Sequence, residues 1–236
     1  MSIVLVHGVP DTPAMWDPLV DVLARDDVVR LALPGFAAPV PEGFSSTKET
    51  YADWVVEQLE AVGEPVDVVG HDWGSLLVQR VAVTRPDLVR SYTLANAVMT
   101  ETFRWHDLAV AWQTPEVGEQ VMEAMAADAL EQGLREGGHP DAARAAERVD
   151  ATMKACILGL YRSATDIATE WSPREALVRP GLVLWGSGDP FAPPDNPRLA
   201  SAVMDAELAL VDGGHWAIVE HPTVAANALT RLWATA

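Results

Sequence analysis

One cysteine, Cys156, occurs in the 236-residue chain, which excludes an internal disulfide and a cysteine-built metal cluster. Positive charge is also scarce. Sixteen Lys and Arg stand against 34 Asp and Glu, for a formal net charge of −18. That balance repels phosphate backbones and anionic membrane surfaces, so neither nucleic acid nor a membrane is an expected partner. No apolar run approaches the roughly 20 residues that a membrane-spanning helix needs. The stretch Met1 to His7 lacks the basic start, apolar segment and cleavage site of a secretory signal, and a cytoplasmic protein is the expectation. Internal repeats and low-complexity segments are missing too. What is there is a chain 49% hydrophobic, long enough for one domain with a large core.

The order of elements can be read from spacing. A short apolar strand, Ser2 to Val6, runs into His7-Gly8-Val9-Pro10. A second apolar run, Val28 to Leu33, stops at Pro34-Gly35 and is followed by a Pro-rich loop to Phe44. Tyr51, Trp54, Val55, Leu59 and Val62 recur every three or four residues, which predicts an amphipathic helix over 47–62. Further strands are expected at Val66–Gly70, Val89–Ala95, Gly181–Trp185 and Glu207–Val211, with helices after Asp72, around Pro197–Met204 and over 222–233. Strand alternating with helix argues for an α/β fold with a parallel sheet. Between 98 and 171 the pattern turns helical: Val117, Val121, Met125 and then Val149, Met153, Ile157, Tyr161 are spaced by fours, interrupted at Gly137-Gly138-His139-Pro140. This segment reads as an inserted helical lid, leaving 1–97 and 172–236 as the core.

Val66-Asp67-Val68-Val69-Gly70-His71-Asp72-Trp73-Gly74-Ser75-Leu76 organises the rest. A buried strand ends in a corner residue flanked by glycines at two positions before and two after, and an apolar helix follows. That is the pattern of a nucleophile elbow, where strand and helix approach closely around a strained residue. The usual occupant is Ser; here it is Asp72. Two more polar residues follow strands in the expected order of acid and then histidine: Asp189 after Gly186-Ser187-Gly188, and His215 after Asp212-Gly213-Gly214. Asp195 and Asp212 compete with Asp189 for the acid; Asp189 leads because it follows its strand directly. His7 and His71 read as structural, and Ser75 lies outside the corner.

Together, His7-Gly8-Val9-Pro10, Gly70-His71-Asp72-Trp73-Gly74, Gly188-Asp189 and Gly214-His215-Trp216 resemble the α/β-hydrolase superfamily, in its Asp-nucleophile branch of epoxide hydrolases and haloalkane dehalogenases. The resemblance spans nearly the whole chain, although the first two strands of that fold are missing. It implies no metal or organic cofactor; the expected partners are a small apolar molecule and water. Asp72 would attack a saturated carbon to give an alkyl ester, and His215, held by Asp189, would activate the water that hydrolyses it. The backbone N–H groups of Val9 and Trp73 would bind the oxyanion.

Leu160-Tyr161-Arg162-Ser163 resembles the cap segment whose tyrosine donates to an epoxide oxygen. Near Val110 to Pro115, where the family often has a companion tyrosine, this chain has Ala111 and Trp112. His106 or an indole N–H would have to assist. A dehalogenase would hold the halide with indole N–H donors, Trp73 as one and Trp105 or Trp112 from the lid as the second. Epoxide opening is the leading expectation, haloalkane hydrolysis the alternative, and a non-catalytic ligand-binding protein of this fold the third. With two initial strands missing, the strand at Val28–Leu33 should form a sheet edge, either paired with a second copy or simply covered.

Overall fold

The structure, a computed structural model, describes residues 2–192 and 195–236. Six strands form one sheet, β1 (Ile3–Val6), β2 (Val28–Leu31), β3 (Val66–His71), β4 (Val89–Ala95), β5 (Gly181–Gly186) and β6 (Glu207–Val211), in spatial order β2-β1-β3-β4-β5-β6. Every neighbouring pair is parallel, with Val4 opposite Val68 and Leu94 opposite Val183. This bears out the expected parallel sheet. The second strand is indeed an edge, shorter by two residues than the apolar run suggested.

Strand side chains alternate between two buried faces, as the period of two dictates. Val4, Val6, Val66 and Val68 pack under α2 (Lys48–Val62) and α3 (Trp73–Thr84) in one core. Ile3, Leu5, Leu182 and Leu184 face the other core, with α1 (Asp17–Leu23), α11 (Ala217–Glu220) and α12 (Pro222–Thr235). Sequence reading placed no helix between Pro10 and Val28, yet the chain forms a 3-10 turn at Pro13–Trp16 and then α1, with a proline in the first turn of each. Prolines there remove N–H groups that have no intrahelical acceptor anyway. Trp16 and Leu19 are fully buried, each contributing about 1.5–3 kcal/mol of apolar transfer.

After a non-helical stretch over 98–106, the region to 171 holds helices and no strand among the described residues: α4 (Asp107–Gln113), α5 (Val117–Ala124), α6 (Ala127–Glu136), α7 (Ala142–Glu147), α8 (Ala151–Arg162) and α9 (Ile167–Trp171). It is inserted between β4 and β5, and α10 (Asn196–Met204) connects β5 to β6. The expected break at Gly137–Pro140 separates α6 from α7. Among the described residues no helix is long and apolar enough to cross a membrane.

Candidate active site

The carboxyl ends of β1, β3, β5 and β6 deliver the polar residues to one place. At the end of β3, Asp72 has φ 51° and ψ −123°, a conformation that ordinary L residues avoid. Its surroundings impose it. A Cβ at Gly74 would lie 2.1 Å from the Val6 carbonyl oxygen, and one at Gly70 would lie 2.4 Å from the Gly74 oxygen. Only glycine lets α3 sit that close to β1 and β3. The Asp72 N–H donates to the Ala95 carbonyl at 3.0 Å, so the corner is tied to β4 as well.

The carboxylate of Asp72 is held on two sides. Oδ1 accepts from the Val9 N–H at 2.7 Å, and Oδ2 lies 3.5 Å from His215 Nε2. On its other side the His215 ring donates from Nδ1 to Asp189 Oδ2 at 3.0 Å. Burial alone would lower the His215 pKa, but the charges and hydrogen bonds of Asp189 and Asp72 outweigh it and raise it to about 10. Burial would raise both carboxyls, yet His215 keeps Asp72 and Asp189 below the ordinary carboxylate value. The two carboxylates thus favour the charged form of the His215 ring, and the ring favours the charged forms of both.

Asp189, after β5, is the acid that reaches the ring; Asp195, at the start of α10, and Asp212, after β6, are exposed. The structural reading of two histidines also fits the geometry. His7 donates from Nδ1 to Gly8 O and accepts the Leu33 N–H on Nε2. His71, lowered to about 4 by burial and by the neighbouring His215, donates from Nε2 to the His215 carbonyl at 2.9 Å. Ser75 donates to the Ala97 carbonyl.

Above Asp72 lies a cavity of about 260 Å³. Its wall is apolar, including Leu108, Met122, Met125, Leu134, Val149 and Ile157, and among the described residues that line it there is no Lys, Arg or Glu. Tyr161, on α8, reaches this cavity, its phenol pKa pushed well up by burial and then by the charge of Asp72. Trp112 lines it too, and its buried Nε1–H has no acceptor among the described residues. Trp73 packs edge-on against Tyr161 with ring centres 5.3 Å apart. The backbone N–H of Trp73 is the first of α3 and so has no intrahelical acceptor by position. His106 lines the cavity beside Phe191, but its Nδ1 is used to cap α4 through the Ala109 N–H.

Trp105 is placed beside the site with its donor already used. Its indole N–H donates to the Ala164 carbonyl at 2.9 Å, and its ring stacks on Trp73. Its side chain lines a second, smaller space of about 30 Å³ that also borders Asp72 and Tyr161.

Three contributors escaped the sequence reading. Asn96, at φ 54° just past β4, donates to Asp189 Oδ2 at 2.8 Å. The Phe191 N–H donates to Asp189 Oδ1 at 2.9 Å. Asp11, 2% exposed, accepts from Trp216 Nε1 at 2.7 Å and lies 2.9 Å from His139 Nε2. A polar residue ending a strand was the one available signal, at Asn96; nothing local marks the other two.

Comparison with known proteins bears on the whole chain. The family model of the Alpha/beta hydrolase family matches residues 3–228. The (E)-2-((N-methylformamido)methylene)succinate hydrolase of Acinetobacter baylyi is 28% identical over 207 residues, which cover 80% of this chain and 72% of that protein. Among solved structures, a putative epoxide hydrolase from Pseudomonas aeruginosa superposes with a TM-score of 0.82 at 22% identity, covering 99% of this chain and 88% of the other. The enol-lactonase from Burkholderia xenovorans LB400 gives 0.75 at 20% identity, covering 98% and 90%. At these identities the two structures establish a shared fold.

Proposed function

Because the chain belongs to the alpha/beta hydrolase family, we propose that it is a hydrolase acting at a saturated carbon, and that it opens an epoxide to a vicinal diol through an alkyl ester on Asp72. The observation that carries this reading is the pose of the corner carboxylate, with Oδ1 held by the Val9 N–H and Oδ2 left facing His215 beneath the cavity. A carboxylate attacking an acyl carbon would give only a mixed anhydride, whereas attack on an alkyl carbon gives an ordinary ester.

In the first step Oδ2 of Asp72 attacks a ring carbon and the C–O bond breaks. The alkoxide takes the phenol proton of Tyr161, which is made good by the His215 imidazolium. Esterification removes the charge of Asp72, one of the two that keep His215 protonated, so the ring can now act as a base. It takes a proton from a water attacking Cγ of Asp72. The oxyanion develops on Oδ1, where the Val9 and Trp73 N–H groups stabilise it, an effect on the order of 3–4 kcal/mol per donor. Collapse expels the second diol oxygen with a proton from His215, and the regenerated carboxylic acid returns its proton to the ring. The apolar wall suits an uncharged small molecule.

One observation favours a second reading, haloalkane hydrolysis: Trp112 lines the cavity, and its buried Nε1–H has no acceptor among the described residues, so a donor for a halide is unused. A single experiment separates the two. A His215→Gln variant, incubated with an epoxide panel and a haloalkane panel, should stall at the ester. Intact-protein mass should rise by one whole epoxide, and the gain should vanish when Asp72→Asn is added. Gain of the alkyl part alone from haloalkanes would move the enzyme to the second reading. No adduct from either panel would overturn a nucleophilic Asp72.

A further inference from the structure

The helical insertion does more than roof the cavity: its central turn, between α6 and α7, rests directly on the loop that carries His215. The His215 N–H donates to the Gly137 carbonyl at 2.8 Å. The contact is close enough that a Cβ at Gly214 would lie 2.3 Å from that oxygen, and one at Gly137 would lie 2.6 Å from the Trp216 ring. Next to this backbone bond, His139 reaches across to Asp11 in the first loop. The His139 Nδ1 accepts the Asp141 N–H at 3.0 Å, so the ring proton belongs on Nε2 and is donated to Asp11 Oδ1. Trp216 donates to the other oxygen, Oδ2.

Asp11 sits in the loop that supplies Val9. Its N–H donates to Gly8 O at 3.1 Å and closes the turn across Val9-Pro10. The Trp216 ring stands edge-on to the His215 ring at 4.8 Å and lies 5.1 Å from the His139 ring. One buried carboxylate thus ties together three separate segments, the Val9 loop, the His215 loop and the middle of the insertion. A buried charge with all its donors supplied holds its partners in one arrangement, and removing a donor leaves it costly and poorly placed.

We propose that Asp11 and His139 are positioning residues that lock the Gly137–Pro140 turn onto the two loops of the active site, so that the His215 ring and the Val9 N–H keep their placement only while that turn is docked. The inference rests on Asp72 and His215 working as a pair, as proposed above. Neither Asp11 nor His139 touches the reacting atoms. They act through Val9 and through Trp216 and His215.

The test compares His139→Leu, which removes the donor, with His139→Gln, which keeps an N–H near the position of Nε2. Thermal unfolding first establishes that both are folded at the assay temperature; if the Leu variant is not, Asp11→Asn takes its place. The first readout needs no substrate. The downfield proton resonance of the His215 Nδ1–H bonded to Asp189, assigned by its loss in His215→Gln, should be sharp in the wild type and in His139→Gln and broadened in His139→Leu. The second readout is turnover of an epoxide that the wild type accepts. His139→Leu should lower kcat by roughly 10–100-fold, the scale of a small displacement of reacting groups, with the ester accumulating during turnover and KM little changed. An unchanged resonance and turnover within about twofold of wild type in a folded His139→Leu would overturn the proposal. So would an equal loss in the Gln and Leu variants. If no epoxide is turned over, the resonance still decides, so failure of the proposed reaction is not confused with failure of this inference.

Discussion

Replacing Asp72 by Asn keeps the shape of the corner side chain and removes one of the two charges that face the His215 ring, as esterification would. Burial by itself disfavours the imidazolium, yet the ring is lifted from 6.5 to about 10 because Asp189 Oδ2 lies at 3.0 Å and Asp72 Oδ2 at 3.5 Å. That lift corresponds to a preference for the charged form on the order of 5 kcal/mol, shared between the two carboxylates. His215 should therefore titrate at clearly lower pH in Asp72→Asn than in the wild type. NMR of ring-labelled histidine, scanned from about pH 5 to about pH 11, reads this directly, with His215→Gln assigning the signal.

The same difference appears in stability. The folded value lies above the unfolded one, so the stabilisation is complete below about pH 6.5 and is lost as pH rises through about 10. Across that window the wild-type Tm should fall more steeply than that of Asp72→Asn. A wild-type ring titrating near its ordinary value, or at the same pH in both proteins, would refute the reasoning. The mechanism would then lose its account of how the base is released only after the ester forms.

Two further outcomes follow from the geometry. Tyr161→Phe should slow ester formation by about 100-fold or more if the phenol is the proton donor, while leaving ester hydrolysis near the wild-type rate; single-turnover mass measurements separate the steps, and an equal slowing of both would count against that role. Gly74→Ala would place a Cβ 2.1 Å from the Val6 oxygen and 2.5 Å from the His7 oxygen, both backbone atoms that cannot rotate away. The variant should lose at least roughly 2–3 kcal/mol in denaturant titration, and a fully stable Gly74→Ala would contradict the close approach of α3.

The residues legible in the sequence were those whose role is announced locally. Asp72 stands between two glycines at a strand end, and Asp189 and His215 follow apolar runs that could only be strands, so order and spacing were enough to bring them to one edge of the sheet. The helical insertion was legible from the fourfold spacing of Val149, Met153, Ile157 and Tyr161. Asp11, His139 and Trp216 were not, because their bonds join positions 128 and 205 residues apart. Nothing near Asp11 in the sequence distinguishes a buried carboxylate from an exposed turn residue. The use of the Trp105 donor was hidden for a related reason: an indole N–H has one direction, and that it points to the Ala164 carbonyl depends on how the stretch before α4 packs beside the end of α8. The helix over 17–23 was not placed from the sequence; its one proline, Pro18, stands in the first turn, where a helix tolerates it.

The strain at Asp72 belongs to the glycines around it, not to the carboxylate it bears. Gly70 and Gly74 fix the backbone of that corner whatever side chain it carries, and the Val9 N–H waits for an oxygen without regard to its source. Architecture and chemistry are separable here: the sheet decides where the reacting group stands, and one side chain decides which bonds it can break. A fold shared with an enol-lactonase on one hand and a protein described as an epoxide hydrolase on the other is what such a division of labour permits. In this molecule the same corner would present any occupant of position 72 to the same Val9 donor.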